Sequence, residues 1–251
     1  MAAVARYDFR SPRIHVTDPL KQGAEIALAR PQAHYLTNVL RLKAGGRVLA
    51  FNGKDGEWAA ALVGEGKRIT IKLAERTREQ PEPRDLHYLF APLKHVRLDY
   101  MVQKAVELGA SRLQPVMTRH AQVARVNLDR MRANAIEAAE QCGILTLPDI
   151  VAPVTLERMT AEWDAARLLI FCDEDADVTD PVAALGAARG GERLPLAVLI
   201  GPEGGFAADE RAALLKLPHV VRLALGPRIL RADTAAVAAL ALVQAVLGDW
   251  R

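Results

Sequence analysis

Two glycine-containing loops hold the residues whose types and spacing could do chemistry. The first loop, residues 201–206 (GPEGGF), follows an apolar run of strand length and carries Glu203 as its one charge. Its glycines allow the backbone to turn sharply and to lie close to a ligand. The loop lacks both the Gly-x-Gly-x-x-Gly and the Gly-Lys-Ser/Thr patterns of dinucleotide and phosphate loops. It therefore favours a neutral or cationic ligand over a polyphosphate.

The second loop, residues 226–233 (GPRILRAD), follows another apolar run and places Arg228 and Arg231 around an Ile-Leu pair. Apolar side chains between charges indicate that the loop packs on something, although two solvated arginines before a core helix are the alternative. Asp233 or Thr234 can cap the alanine-rich helix predicted at residues 235–247. Because ligands of open α/β sheets bind outside the carboxyl ends of the strands, we expect the two loops to line one site.

The elements that position these loops fall into two parts. Residues 1–75 contain short apolar runs separated by glycine turns, with one helical segment at residues 32–42, which is typical of a small β-barrel. Residues 76–85 are polar and proline-containing and are predicted to be a linker. Residues 86–251 alternate strand and helix patterns, with helices predicted at residues 96–108, after Asn127, at residues 156–166 and after Asp180. This alternation predicts a mostly parallel sheet.

Composition sets broader limits. The chain has 251 residues, 51% of them hydrophobic, and a net charge of +3, which permits a polyanionic partner without requiring one. No apolar run has the length of a membrane span, and the first residues lack a signal-peptide core. Cys142 and Cys172 are far apart, and the histidines show no metal-binding spacing. We therefore expect a cytoplasmic protein with no membrane association and no metal ion.

Longer strings in the chain closely resemble one family. LIGPEGGF and LALGPRILRADTAAVAAL, together with HYLTNVLR, KHVRLDYMVQKAVELG and EQCG, are similar to the RsmE family. The resemblance implies a methyltransferase that modifies N3 of a uridine in small-subunit (16S) ribosomal RNA with S-adenosylmethionine. It also implies a C-terminal α/β domain of the SPOUT superfamily, with a trefoil knot, and a small N-terminal PUA-like β-barrel. Two positions depart from the family pattern: Ile144 replaces an arginine and Asp233 replaces a glutamate.

The resemblance also implies a donor site for S-adenosylmethionine between the two loops and the loop after Cys172. The implied donor-binding residues are Cys172, Ile200, Gly201, Pro202, Glu203, Gly204, Gly205, Leu225, Gly226, Ile229, Leu230, Thr234 and Ala235. Arg231 or Arg228 is suited to stabilise charge that develops on the acceptor ring. Glu174, Glu203, Asp233 or water could take the departing proton. We interpret Cys172 as a small, partly buried residue and not as a nucleophile.

The expected partners are small-subunit ribosomal RNA, within the 30S particle, and a second copy of the chain. The residues placed near RNA are Arg10, Arg13, His34, Arg41, Arg47, Lys94, Lys104 and Arg119, each of which could instead be a solvated surface charge. The helix at residues 235–247 is apolar over most of its circumference, which favours a homodimer, although the first helices of the same domain could cover it in a monomer. Two other functions are open: a SPOUT-type enzyme that modifies a transfer-RNA base or a ribose 2′-hydroxyl, and an RNA-binding protein without catalysis.

Overall fold

The structure is a computed structural model that describes residues 8–64, 68–123, 125–177, 180–188 and 194–250. The chain divides into two compact units. The first comprises Met1–Glu82 and Ile136–Leu147, and the second comprises Pro83–Ala135 and Pro148–Arg251. No helix among the described residues has the length and apolar character that a membrane span requires.

The first unit is built on one sheet of short strands. The strands are β1 (Arg13–His15), β2 (Glu25–Ala27), β3 (Arg47–Phe51), β4 (Glu57–Val63) and β5 (Thr70–Arg78). Their order is β1-β3-β4-β5-β2, in which β1 runs parallel to β3 and the other pairs are antiparallel. Between β3 and β4, the side-chain oxygen of Asn52 accepts hydrogen bonds from the backbone of Lys54 and Asp55. The hairpin predicted from Asn52-Gly53 is confirmed.

The predicted helical segment of this unit has an irregular form. Helix α1 (Arg30–His34) runs into a π-helical turn at Tyr35–Val39, because the Leu40 amide donates to the carbonyl of Tyr35 at 2.9 Å. Leu36, fully buried, anchors this turn in the core of the unit. The core is completed by apolar strand residues, among them Ile14, Val48, Leu62 and Ile71.

A buried ion network holds the first unit together. The Glu57 carboxylate accepts hydrogen bonds from Arg13 Nε at 2.7 Å and from Arg78 Nη2 at 2.6 Å. The two guanidinium groups also donate to backbone carbonyls of the 136–147 segment, Arg13 to Glu140 and Arg78 to Gly143. This network explains why that segment belongs to the first unit. It also explains why β5 continues to Arg78, so that residues 76–78, expected in the linker, are strand.

The second unit is built on a parallel sheet. Its strands are β6 (Leu86–Phe90), β7 (Arg112–Met117), β8 (Asp149–Ile150), β9 (Val154–Thr155), β10 (Leu168–Cys172), β11 (Leu196–Ile200) and β12 (Val220–Leu223). The order is β12-β10-β11-β6-β7-β8, with β9 also paired to β7. Every pairing in this sheet is parallel, as the alternation of strands and helices predicted. The central strand β11 is fully buried.

Helices follow the strands of this sheet. They are α2 (His95–Glu107), α3 (Leu128–Cys142), α4 (Leu156–Ala161), α5 (Pro181–Ala187), α6 (Ala208–Leu214) and α7 (Ala232–Val246), of which α3 continues from the second unit into the first. The predicted caps Asn127 and Asp180 are confirmed by hydrogen bonds to the first-turn amides of α3 and α5.

Two helix boundaries differ from the prediction. Helix α4 ends at Ala161 and not near residue 166, because Asp164 accepts a hydrogen bond from the Ala166 amide and forms a turn there. Helix α7 begins at Ala232, because the Ala235 amide already donates to the Arg231 carbonyl at 2.8 Å. Arg231 is therefore the N-cap, and the prediction that Asp233 or Thr234 caps this helix is wrong.

Candidate functional site

Three loops at the carboxyl ends of β10, β11 and β12 enclose a pocket of about 380 Å³. The β10 loop contributes residues 172–174, and the β11 loop contributes residues 200–203. The β12 loop contributes residues 223–230, followed by Ala232 and Ala235 of α7. The two glycine-containing loops of the sequence therefore meet at one pocket, together with the third loop expected after Cys172.

Most of the predicted donor-binding residues line this pocket. They are Cys172, Ile200, Gly201, Pro202, Glu203, Leu225, Gly226, Ile229, Leu230 and Ala235. Gly204, Gly205 and Thr234 do not line it. The carbonyl oxygens of Gly204 and Gly205 each lie 3.1 Å from Nδ1 of His120, so these glycines hold the loop against the residues after β7. Thr234 is exposed on α7.

Two glycines have a steric reason to be glycine. A Cβ on Gly201 would lie 2.5 Å from Cε2 of Phe206, a buried side chain that leaves no room for it. Gly226 has a φ of +94°, a conformation that L-residues with a side chain rarely adopt. Both positions therefore fix the course of the backbone along the pocket.

Asp173, in the β10 loop, is a buried carboxylate that pairs with two arginines. It was not among the residues predicted from the sequence to be functional. Its fully buried side chain accepts hydrogen bonds from Nε of Arg211 and Nε of Arg222, both at 2.8 Å. Burial raises the pKa of the Asp173 carboxyl, but the hydrogen bonds from the two arginines outweigh that effect and hold its pKa below the ordinary value. Arg222, inside an otherwise apolar strand run, was the signal that could have identified this partner.

The same loop contains an acidic cluster. The carboxylates of Asp173, Glu174 and Asp175 lie close enough together to bind a metal ion. However, two guanidinium groups already occupy the oxygens of Asp173, and Asp175 pairs with Arg211 at 2.9 Å. The cluster therefore holds the β10 loop in place.

Cys172 is not activated for nucleophilic attack. Burial and the neighbouring charge of Asp173 raise the pKa of its thiol to about 12. The thiolate is the nucleophilic form of cysteine, and a thiol with such a pKa stays protonated at neutral pH. This agrees with the interpretation of Cys172 as a packing residue at the end of β10.

The two predicted catalytic arginines occupy different places. Arg228 lines the pocket, whereas Arg231 does not and instead forms the N-cap of α7 with an exposed side chain. The structure therefore brings Arg228, and not Arg231, to the pocket.

A second cavity of about 440 Å³ adjoins this pocket. It is lined by Pro92, Leu93, Lys94, Val96, Arg97, Gln122, Val123, Pro202 and Glu203. Pro202 and Glu203 also line the first pocket, so the β11 loop is a wall between the two. Arg97 of α2 forms an ion pair with Glu203 on this wall.

The basic residues predicted to contact RNA differ in their availability. In the first unit, Arg10, His34, Arg41 and Arg47 are exposed, and Arg47 pairs with Asp8 at 3.4 Å. Arg13 is not available, because its side chain is 4% exposed and is paired with the buried Glu57. The expectation that Arg13 contacts RNA is wrong; its charge completes the internal network.

In the second unit, Lys94 lines the second cavity and is exposed. Lys104 and Arg119 are engaged in ion pairs, Lys104 with Glu107 at 2.6 Å and Arg119 with Asp209 at 2.5 Å. Lys94 is therefore the basic residue of this set that the structure brings to the site.

Comparison with known proteins decides the family. The RNA methyltransferase domain family matches residues 80–244, and the RNA methyltransferase PUA domain family matches residues 28–74. Ribosomal RNA small subunit methyltransferase E of Rickettsia conorii is 30% identical over 234 residues, which cover 92% of this chain and 94% of that protein. The chain belongs to the ribosomal RNA small subunit methyltransferase E family. The resemblance seen in the sequence is confirmed.

Other similar proteins support this assignment. The protein of that name from Synechocystis is 32% identical over 89% of this chain and 74% of its own. The Neisseria gonorrhoeae methyltransferase E, whose structure is bound to S-adenosyl methionine, has a TM-score of 0.82 at 26% identity, covering 96% of this chain and all (100%) of that chain. A Legionella pneumophila protein described as a methyltransferase, also in complex with that cofactor, has a TM-score of 0.78 at 28% identity, covering 94% and 98%. The predicted α/β SPOUT-type fold with a PUA-like domain is confirmed.

Proposed function

We propose that this chain transfers a methyl group from S-adenosylmethionine to N3 of a uridine in small-subunit ribosomal RNA, within the 30S particle and in the cytoplasm. The observation that carries the proposal is the pocket enclosed by the three loops at the ends of β10, β11 and β12. Its support is the family membership and the structure of a family member from Neisseria gonorrhoeae, which is bound to S-adenosyl methionine.

The residues of the pocket fit this donor. S-adenosylmethionine supplies an electrophilic methyl group on a positively charged sulfur. Glu174 and Glu203 place carboxylates on the pocket, where a positive charge is favoured. The backbone of the β11 and β12 loops offers amides and carbonyls to the adenine edge, and Leu225 and Leu230 offer apolar contacts to its faces.

Methylation of N3 requires groups that stabilise negative charge on the ring and a group that accepts the N3 proton. A bond forms between N3 and the methyl carbon as the bond between sulfur and that carbon breaks, and the N3 proton leaves. Negative charge develops on the ring oxygens, and Arg228, which lines the donor pocket, is the arginine that we expect to stabilise it. Of the carboxylates considered as proton acceptors, Glu174 and Glu203 line the pocket and Asp233 does not; water is the remaining acceptor. Because N3 lies on the pairing edge, the base must be unpaired before it reaches the site.

A methylation assay tests the function directly. The purified chain is incubated with isotopically labelled S-adenosylmethionine and either small-subunit particles or transfer RNA, and the modified nucleotide is identified by mass spectrometry. We expect label only in small-subunit RNA, as N3-methyluridine. Label in transfer RNA or on a ribose oxygen would overturn the assignment of the substrate. RNA binding without donor binding would indicate the non-catalytic alternative.

RNA affinity should depend on the exposed arginines of the first unit. We expect replacement of Arg10, Arg41 and Arg47 by alanine to weaken binding of small-subunit RNA, because each phosphate contact releases counterions. The slope of log affinity against log salt should fall by about one for each arginine that contacts a phosphate. Filter binding over a salt series measures this slope. Arg158→Ala, which removes an exposed arginine of α4, is the control, and an equal effect there would contradict the prediction.

The proposed homodimer involves the outer face of α7. The inner face, with Ala236, Ala239 and Val243, is already buried against α2, α5 and β11 of the same chain. Ala238 and Ala241 on the opposite face are half-buried and small, which permits close approach of a second helix. This face supports an isologous dimer.

Sedimentation tests the dimer. We expect the parent to sediment as a dimer at micromolar concentration and Ala241→Glu to shift it toward the 27.3 kDa monomer, because a charge would be buried at the interface. Ala212→Glu, on the exposed face of α6, is the matched control. A parent protein that is monomeric and active would contradict the dimer. Ala239 is unsuitable for this test, because it is fully buried within its own chain.

A further inference from the structure

The cavity beside the proposed donor pocket has the features of an acceptor site. We infer that this second cavity, of about 440 Å³, receives the unpaired uracil of the RNA substrate, with its flanking phosphates near Lys94 and Arg125. The inference rests on the proposed function and assigns the place where its acceptor binds.

Position is the first argument. The proposed donor pocket lies over the ends of β12, β10 and β11, and the second cavity is lined by residues that follow β11, β6 and β7. Methyl transfer requires the acceptor atom about 3–3.5 Å from the methyl carbon, so the two ligands must occupy adjoining spaces. Pro202 and Glu203 line both spaces. A base in the second cavity would therefore lie next to the donor, separated from it only by these two residues of the β11 loop.

The lining of the second cavity suits a planar, polar-edged ring. Leu93, Val96 and Pro202 present apolar surface on which a base can stack. Gln122 adds an amide, whose N–H can donate a hydrogen bond to a uracil carbonyl oxygen. Unstacked bases are recognised in RNA-binding proteins by this combination of stacking and edge hydrogen bonds.

The charge around the cavity suits the sugar-phosphate backbone. A smaller cavity of about 70 Å³ shares Leu93, Lys94 and Val123 with the larger one and adds Arg125 and Arg130. Arg130 is paired with Asp99, while Lys94 and Arg125 are exposed. Two exposed cations at one edge of an apolar cavity match a nucleotide whose phosphates stay in solvent.

The ion pair between Arg97 and Glu203 can open when the base binds. The side chains of both residues are more than a third exposed, at 38% and 39%, so the pair contributes little to stability and opens at little cost. Once open, Arg97 can turn toward the RNA and Glu203 toward the reacting edge of the base.

The test fills the cavity without touching the proposed donor pocket. Val96 lies in the first turn of α2 and is 81% exposed, so Val96→Trp places an indole at the mouth of the second cavity without disturbing the core. The matched control is Val182→Trp, an exposed valine in the first turn of α5 that lines neither cavity. Calorimetry measures S-adenosylmethionine affinity, and steady-state assays measure kcat/KM for small-subunit particles.

We expect Val96→Trp to keep the donor affinity of the parent and to lower kcat/KM by about 100-fold. The reason is that displacing the acceptor by about 1 Å is enough to lower the rate of transfer by that factor. Val182→Trp should match the parent in both measurements. Parental kcat/KM in Val96→Trp would overturn the acceptor site while leaving the proposed function intact. A parent that neither binds the donor nor methylates RNA would overturn the proposed function itself.

Cross-linking gives a readout that does not depend on turnover. Small-subunit RNA carrying a photoreactive uridine at the methylated position is irradiated with the full chain, and the attached peptide is sequenced. We expect attachment within residues 92–97 or 122–123. Attachment elsewhere overturns the assignment. So does a Val96→Trp protein whose loss of activity parallels a change in sedimentation, because the cavity would then be an interface between two copies of the chain.

Discussion

Replacing Arg228 by alanine is expected to lower kcat for methyl transfer by about two to three orders of magnitude, the usual cost of losing one charge-stabilising donor. The reason is that Arg228 lines the proposed donor pocket, beside which the acceptor ring must lie, so its guanidinium can stabilise negative charge that develops on that ring. An interaction made only in the transition state lowers kcat more than it weakens binding. Single-turnover methylation and calorimetry with S-adenosylmethionine separate these two effects.

Arg231→Ala is the matched comparison. Arg231 has the same side chain and lies three positions along the same loop, but it caps α7 and does not line the pocket. We therefore expect a smaller loss of kcat for Arg231→Ala than for Arg228→Ala. Arg228→Lys should recover only part of the rate, because lysine keeps the charge but loses the planar fork. Normal turnover in Arg228→Ala would exclude Arg228 from the reaction.

Replacing Asp173 by alanine should lower the free energy of unfolding markedly. Its buried carboxylate is the shared partner of Arg211 and Arg222, and removing it leaves two guanidinium groups facing each other. Breaking a buried ion pair in this way costs about 3 kcal/mol, the lower end of the usual range, since both arginines keep some contact with solvent. Urea denaturation measures the loss. Donor affinity should fall as well, because Asp173 shapes the pocket wall.

The pH dependence of this loss has a defined sign. The folded-state pKa of Asp173 lies below its ordinary value of 3.8, so its contribution to stability is present above 3.8 and disappears as the pH falls through the folded-state value. The difference in unfolding free energy between parent and Asp173→Ala should therefore shrink below that pH. Asp175→Asn, which removes an exposed partner of Arg211 from the same loop, should cost less than about 1 kcal/mol. Equal costs for the two variants would contradict the importance of burial.

Local patterns predicted the elements that frame the site. The Asn52-Gly53 turn, the caps at Asn127 and Asp180 and the buried run Leu196–Ile200 all depend on neighbours in the sequence, and the structure confirms each of them. The meeting of the β11 and β12 loops followed from a general property of parallel sheets.

Ion pairs between residues far apart in the chain could not be predicted from the sequence. Asp173 finds its partners 38 and 49 residues away, and nothing in the local pattern distinguishes it from the two acidic residues that follow. Arg13 has the surroundings of a surface residue in sequence, but Glu57, 44 residues further on, draws it inside. Gly204 was expected on the pocket because it lies in the right loop, yet its carbonyl faces His120. Side-chain direction within a loop is set by such tertiary contacts.

The assignment of residues 136–147 to the first unit has a consequence for biosynthesis. The chain crosses between the two units near residues 82, 135 and 147, so no single cut yields the two units as separate fragments. During translation the carbonyls of Glu140 and Gly143, which Arg13 and Arg78 require as partners, emerge well after the strands of the first sheet. The first unit therefore cannot complete its fold until about sixty residues beyond residue 82 have been synthesised. Part of the second unit emerges from the ribosome before that point.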